Sequence, residues 1–126
     1  MGTTRQRQVI HKILTDRVVH MTADQILEKA RSVYPNISKG TVYRNLNLMA
    51  DDGAIRRVHI PGQPVLYDAN IIPHQHKVCV KCGCIIDIGN VNTEEINKLI
   101  SPDDEIVDYN LVVYAVCKKC IDNDRN

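Results

Sequence analysis

The chain's 126 residues, 44% apolar with a formal net charge of +1, suffice for one ordinary domain or two very small ones and exclude a disordered chain. No apolar run approaches the roughly 18 residues of a membrane span, and Met1-Gly2-Thr3-Thr4-Arg5-Gln6-Arg7 lacks the apolar core of a signal peptide, so a protein of the reducing cytoplasm with no membrane partner is expected. The small net charge hides a split: residues 1–67 carry ten Lys/Arg against five Asp/Glu, net +5, and residues 68–126 six against ten, net −4, so only the first half suits a polyanion.

Thr4 to Thr15 reads as a helix, with Val9, Ile10, Ile13 and Leu14 at helical spacing and Arg5, Arg7 and Lys12 outside that stripe. His20-Met21-Thr22 starts a second helix. Thr22 suits the N-cap, and Gln25 completes a capping box. Ile26, Leu27, Ala30 and Val33 form its inward face, and Pro35 ends it. Ser38 opens a third helix, with Val42, Leu46, Met49 and Ala50 inward and Gly53 past its end. Ile55–Val58 and Val65–Tyr67 read as strands around the turn Pro61-Gly62-Gln63-Pro64.

Three short helices and a small hairpin make a winged-helix arrangement, whose third helix enters a DNA major groove. The DNA-facing candidates on that helix are Lys39, Thr41, Tyr43, Arg44, Asn45 and Asn47; on the first helix they are Arg5 and Arg7. Arg suits a guanine edge, Tyr a thymine methyl or a phosphate, and Lys39 a phosphate. Arg56 and Arg57 on the wing stand ready for the DNA backbone. The alternative is that all of these are ordinary solvated residues.

Residues 68–73 read as a hinge. Cys84 to Ile88 reads as a strand, and Thr93 caps a helix with Ile96, Leu99 and Ile100 on one side. Glu105 to Cys117 contains a long alternating strand, with Leu111, Val113 and Ala115 on one face and Val112, Tyr114 and Val116 on the other. Both faces are apolar and need cover. The chain has no Phe and no Trp, and so small a lobe cannot supply that cover alone. A homodimer through this lobe is expected. The fold class is α+β: a winged-helix DNA-binding domain over 1–67, a hinge over 68–73, and an α/β dimerisation domain that binds metal over 74–126.

Cysteine gives the most specific signal. Cys79-x-x-Cys82 and Cys117-x-x-Cys120, with 34 residues between the pairs, offer four thiolates to one tetrahedral zinc. A redox pair or disulfides are the alternatives. A redox motif has one pair placed before a helix, whereas here there are two and the first precedes a strand. Cys84 is the odd thiol and is expected to be free and partly buried. His74-x-His76 puts both imidazoles on one face of a strand; it is either a divalent-metal half-site or a pair of surface histidines. His20, Asp68 and Asp87 are weaker candidates, each with an ordinary reading as a polar helix-start, hinge or strand-end residue. No catalytic constellation stands out, and no enzyme is expected.

Several stretches together resemble the Fur (ferric uptake regulator) family of bacterial metal-dependent repressors. They are Thr4-Arg5-Gln6-Arg7, His20-x-Thr22-Ala23-Asp24, Thr41-Val42-Tyr43-Arg44-Asn45-Leu46, His74-x-His76-x-x-Cys79-x-x-Cys82-Gly83 and Val116-Cys117-x-x-Cys120. The resemblance covers nearly the whole chain. It implies a homodimer on palindromic operator DNA, a structural zinc on the four cysteines, and a regulatory Fe(II) or Mn(II) bound by His20, Asp68, His74, His76 and Asp87. Peroxide-sensing members resemble this chain in having Asp at position 87, where iron-sensing members more often have Glu. In those members iron-driven oxidation of a ligand histidine, here His20 or His74, ends repression. Asp68 stands where zinc-uptake regulators have a cysteine, and its hard oxygen favours iron or manganese. Arg44 is shared with iron regulators, whereas some peroxide repressors have Asn there. The rivals are an iron-responsive repressor of the same architecture, a small Cys-x-x-Cys redox protein or electron carrier, and a zinc-stabilised dimerisation module without a sensing role.

Overall fold

The computed structural model describes residues 2–16 and 20–124, with side chains from Arg5 onward. The side chain of Thr4, and residues 1, 17–19 and 125–126 of the expected domains, lie outside the described ones. The chain divides into two compact units, Met1–Ile71 and Ile72–Asn126.

In the first unit, helix α1 spans Gly2–Thr15 and buries Ile10 and Leu14, one turn apart. Strand β1, Met21–Thr22, leads directly into α2, Ala23–Ala30. The capping box forms as expected: the Gln25 amide donates to Thr22 Oγ1 at 3.1 Å, and the Thr22 amide donates to Gln25 Oε1 at 2.9 Å. Such a cap contributes about 1 kcal/mol. An N-cap needs extended dihedrals, and Thr22 has φ −74° and ψ 161°. The same backbone can therefore end a strand, which is why β1 exists where the sequence reads only as a helix start. Helix α2 stops at Ala30, well before Pro35. Both the Ser32 hydroxyl and its amide donate to the Lys29 carbonyl, at 2.7 and 3.2 Å, tightening the chain into turns. Val33, expected on the inward face, is consequently 55% exposed.

Helix α3, Lys39–Asp51, is capped by Ser38, whose Oγ accepts the Thr41 amide. Val42, Leu46 and Met49 are fully buried, and Ala50 packs beside them. Strands β2, Arg56–Val58, and β3, Leu66–Asp68, form the expected hairpin, with Gly62 at φ +80° in its turn. With β1 they make an antiparallel sheet in the order β1-β3-β2. Asp68 thus belongs to a strand and not to a hinge. The core is almost wholly aliphatic, with Ile10, Ile26, Leu46 and Met49 among its largest fully buried side chains and Tyr67 its one aromatic member among the described residues. Burial of each such side chain contributes about 1.5–3 kcal/mol.

In the second unit the central strand is β4, Gln75–Cys79. It pairs antiparallel with β5, Ile85–Ile88, and parallel with β6, Val112–Ala115. A turn between β4 and β5 is closed by Gly83, at φ +76°, whose amide donates to the Cys79 carbonyl at 2.9 Å. Helix α4, Thr93–Asn97, is capped by Asn92 and not by Thr93: Asn92 Oδ1 accepts the Glu94 amide at 3.0 Å. Leu99, expected on one side of this helix, lies beyond its end and is 83% exposed. Within the long strand expected over 105–117, strand β6 covers Val112–Ala115 among the described residues. Helix α5, Lys118–Asp124, follows Cys117 directly. Leu111 and Val113 on one face of β6, and Tyr114 on the other, remain more than a third exposed.

Candidate metal centres

The four cysteines meet at one end of the second unit. Cys79 ends β4, Cys82 sits in the turn that Gly83 closes, and Cys117 and Cys120 lie at the start of α5. Their sulfurs all lie within 4.8 Å of one another, with Cys79–Cys120 at 3.8 Å and Cys82–Cys117 at 3.9 Å. Four ligands about 2.3 Å from a tetrahedral zinc stand about 3.8 Å apart. A disulfide needs about 2.05 Å. The spacing therefore fits a zinc and not a pair of bridges. The amides of Cys82 and Cys117 donate to Cys79 Sγ at 3.5 and 3.4 Å. These bonds, Cys82 foremost, bring the Cys79 thiol down to about 5, whereas Cys120 is pushed up to about 12, chiefly by the adjacent Cys117 thiol. Such a cluster holds one thiolate readily and resists more until a cation supplies the opposing charge. Cys84 is exposed, where partial burial was expected, and stands outside this cluster.

A second constellation in the same unit follows from strand register. His76 on β4 is directly opposite Asp87 on β5, so both side chains emerge on one face, and His74 precedes His76 by one strand repeat. His74 Nε2 and His76 Nε2 stand 3.5 and 3.4 Å from Asp87 Oδ1. The two rings meet edge-on, with centroids 4.8 Å apart. Both histidines are at least nine-tenths buried, so neither is an ordinary surface residue. Two donors about 2.1 Å from a common ion stand roughly 3.4 Å apart at a tetrahedral angle, close to these separations. His74 Nδ1 donates to the Ile72 carbonyl at 2.7 Å. That bond fixes the tautomer and leaves Nε2 as the lone-pair nitrogen facing Asp87, the arrangement typical of a metal-ligating imidazole. No pattern in the sequence marked the Ile72 carbonyl, because backbone acceptors carry no side-chain signature.

The first unit brings His20 and Asp68 together: His20 Nε2 is 3.3 Å from Asp68 Oδ2, with both side chains largely buried. Asp68 sits on the central strand of its sheet, and its other oxygen, Oδ1, accepts the Asn70 amide at 2.8 Å. The carboxylate is thereby oriented, with Oδ2 turned to the imidazole.

The basic candidates of the first unit fall into two groups. Arg7 pairs with Asp52 at 2.7 Å, and Lys39 pairs with Asp24 at 3.1 Å while lying over the Tyr43 ring at 5.5 Å. Arg57 reaches across from β2 to Asp51 at 2.9 Å and to Asn47 Oδ1 at 3.3 Å, fastening the hairpin to α3. Exposed pairs of this kind contribute about 0–1 kcal/mol, so exchanging a carboxylate for a phosphate costs little. Arg5 and Arg44 are exposed and make no ion pair among the described residues, and Thr41 is half-buried. Asn45 is 5% exposed, and its Nδ2 donates to the Thr41 carbonyl one turn earlier in α3.

Among the described residues no helix is long and apolar enough to cross a membrane. The sequence pattern of the ferric uptake regulator family matches residues 1–114. The peroxide-responsive repressor PerR of Staphylococcus epidermidis is 33% identical over 119 residues, which are 93% of this chain and 79% of that protein. The solved structure of the Campylobacter jejuni peroxide stress regulator is 30% identical, with a TM-score of 0.75 over 94% of this chain and 91% of that one. The ferric uptake regulator of Francisella tularensis, solved with iron, is 30% identical, with a TM-score of 0.76 over 93% and 92%.

Proposed function

We propose, on the premise that this chain belongs to the ferric uptake regulator family, that it is a metal-dependent DNA-binding repressor that senses hydrogen peroxide through a regulatory Fe(II) or Mn(II) site. The observation that carries the reading is the buried donor set on β4 and β5: two imidazoles with their Nε2 atoms turned to one carboxylate oxygen, and no thiol among them. Nitrogen and carboxylate oxygen suit iron or manganese better than a soft-metal site. The four cysteines take a separate, structural zinc. The regulatory ligand set of the resemblance, His20, Asp68, His74, His76 and Asp87, belongs to the proposal as a whole.

Residues 1–67 act as a winged helix in this reading, and 74–126 as the dimerisation domain. The apolar side chains left exposed on both faces of β6 support a homodimer, and a twofold dimer matches a palindromic operator. Metal and DNA binding are coupled in this reading: metal raises the affinity for operator, and by linkage DNA raises the affinity for metal. When bound, Fe(II) would supply the reducing electrons for peroxide cleavage, with His20 or His74 as the imidazole open to oxidation. These imidazoles offer ring carbons to the oxidant, and an oxidised ring is a poorer ligand, so repression ends. The reducing cytoplasm keeps the thiolates available for zinc.

The second reading, an iron-responsive repressor, is favoured by Arg44, which iron regulators share in the resemblance. Both readings require Arg44 on the DNA. Arg44→Ala in the Mn(II)-loaded protein is expected to cost about 1–3 kcal/mol of operator binding and to blur sequence preference. Titration against operator and scrambled duplexes at fixed salt measures this. Equal weakening on both duplexes would make Arg44 a phosphate contact, and no weakening would remove α3 from the interface.

A further inference from the structure

His74 and His76 flank a residue that the metal reading does not use. Gln75 is 4% exposed, buried more deeply than His74. Its side chain leaves the opposite face of β4 from the two imidazoles. There Gln75 Oε1 accepts the Leu111 amide at 2.8 Å, and Gln75 Nε2 donates to Asn90 Oδ1 at 3.1 Å. Tyr109 donates its hydroxyl to the same Asn90 oxygen, and the Val91 carbonyl lies 3.2 Å from that hydroxyl. The Leu111 carbonyl in turn accepts the His76 amide at 3.4 Å. The Gln75 side chain thus adds one rung to the ladder between β4 and β6 at the level where the histidines sit. It also fastens the loop that begins two residues past the end of β5, three residues after Asp87.

We infer that Gln75 is a positioning residue for the regulatory metal: its amide clamps the start of β4 to the segments at Asn90 and Leu111, and so holds His74, His76 and Asp87 at ligand spacing. The inference rests on the metal reading given above and deepens it. A glutamine is needed because one side chain must both accept and donate. A glutamate keeps the bond from the Leu111 amide and loses the one to Asn90 Oδ1, and an alanine loses both. Without these bonds the start of β4 is no longer tied to Leu111 and Asn90, and the strand ends are free to leave their register. Partners that orient ligands from behind typically change metal affinity about 10–100-fold.

The test uses the full-length zinc protein and Mn(II) alone as probe, with free Mn(II) read by electron paramagnetic resonance. Co(II) absorption serves as a signature of ligand geometry. Gln75→Ala is expected to weaken Mn(II) binding at least about tenfold and to alter the Co(II) bands, with one zinc per chain retained. Gln75→Glu is expected to fall between Gln75→Ala and the parent, and Asn90→Ala to weaken binding in the same direction. These two variants decide the matter should Gln75→Ala not fold. Parent-like Mn(II) affinity and Co(II) bands in the folded variants would overturn the clamp and leave the metal reading intact. A parent protein that binds no Mn(II) would overturn that reading, and the clamp with it.

Discussion

Replacing Cys120 by Ser is expected to release the zinc and unfold the Ile72–Asn126 unit while Met1–Ile71 stays folded. The asymmetry follows from where apolar surface is buried. In the first unit a continuous cluster runs from Ile10 through Ile26, Leu46 and Met49 to Tyr67. In the second, Val78 and Cys79 are the buried apolar residues among the described ones, and Cys79 is itself a proposed ligand. Among the described residues no buried aliphatic cluster stands behind the three-stranded sheet of that unit. Structural zinc contributes about 10–16 kcal/mol to small folded peptides, more than the roughly 5–15 kcal/mol of net stability of a typical domain. Serine cannot supply a soft thiolate, and the remaining cysteines of the cluster are left repelling one another. Zinc content, far-ultraviolet circular dichroism and limited proteolysis measure the outcome: cleavage should spread through the second unit and spare the first. A zinc-free, protease-resistant Cys120→Ser chain would remove the structural zinc from the account.

His76→Ala is expected to abolish metal-dependent operator binding without removing zinc. His76 is the more buried of the two strand histidines, and register places it directly opposite Asp87. Its loss removes a nitrogen donor and leaves the buried face beside Asp87 without its closest imidazole. The fall in Mn(II) affinity should exceed the roughly 10–100-fold typical of outer-shell changes. Because metal and DNA binding are linked reciprocally, operator affinity in saturating Mn(II) should drop to that of the metal-free protein. Unchanged Mn(II) affinity, with zinc retained, would take His76 out of the site.

Local signals in the sequence carried much of the fold. The Thr22/Gln25 box, the Val42–Leu46–Met49 stripe and the Pro61–Pro64 turn depend on neighbours within a few residues, and each formed as its chemistry requires. The two cysteine pairs were legible because thiolates at that spacing have few other uses, and their sulfurs converge. What stayed hidden depends on partners distant in the chain. Strand β4 contains Gln75, His76 and Lys77, shows no apolar alternation, and is central because β5 and β6 flank it. The two-residue strand β1 exists through pairing with β3, some 45 residues later. Asn45 lies next to the apolar stripe of α3 and is buried because its amide finds the Thr41 carbonyl within its own helix. The Asp87 and Asp68 carboxylates looked ordinary for the same reason: their significance lies in the histidine each one faces.

The most direct measurement loads the protein with Fe(II) or Mn(II) without oxygen, adds a small pulse of hydrogen peroxide, and compares operator binding before and after, with peptide mass spectrometry on the same samples. Loss of binding is expected in the Fe(II) sample alone, accompanied by an added oxygen on His20 or His74. Binding that survives peroxide while following the Fe(II) concentration would contradict peroxide sensing and make the protein an iron-responsive repressor.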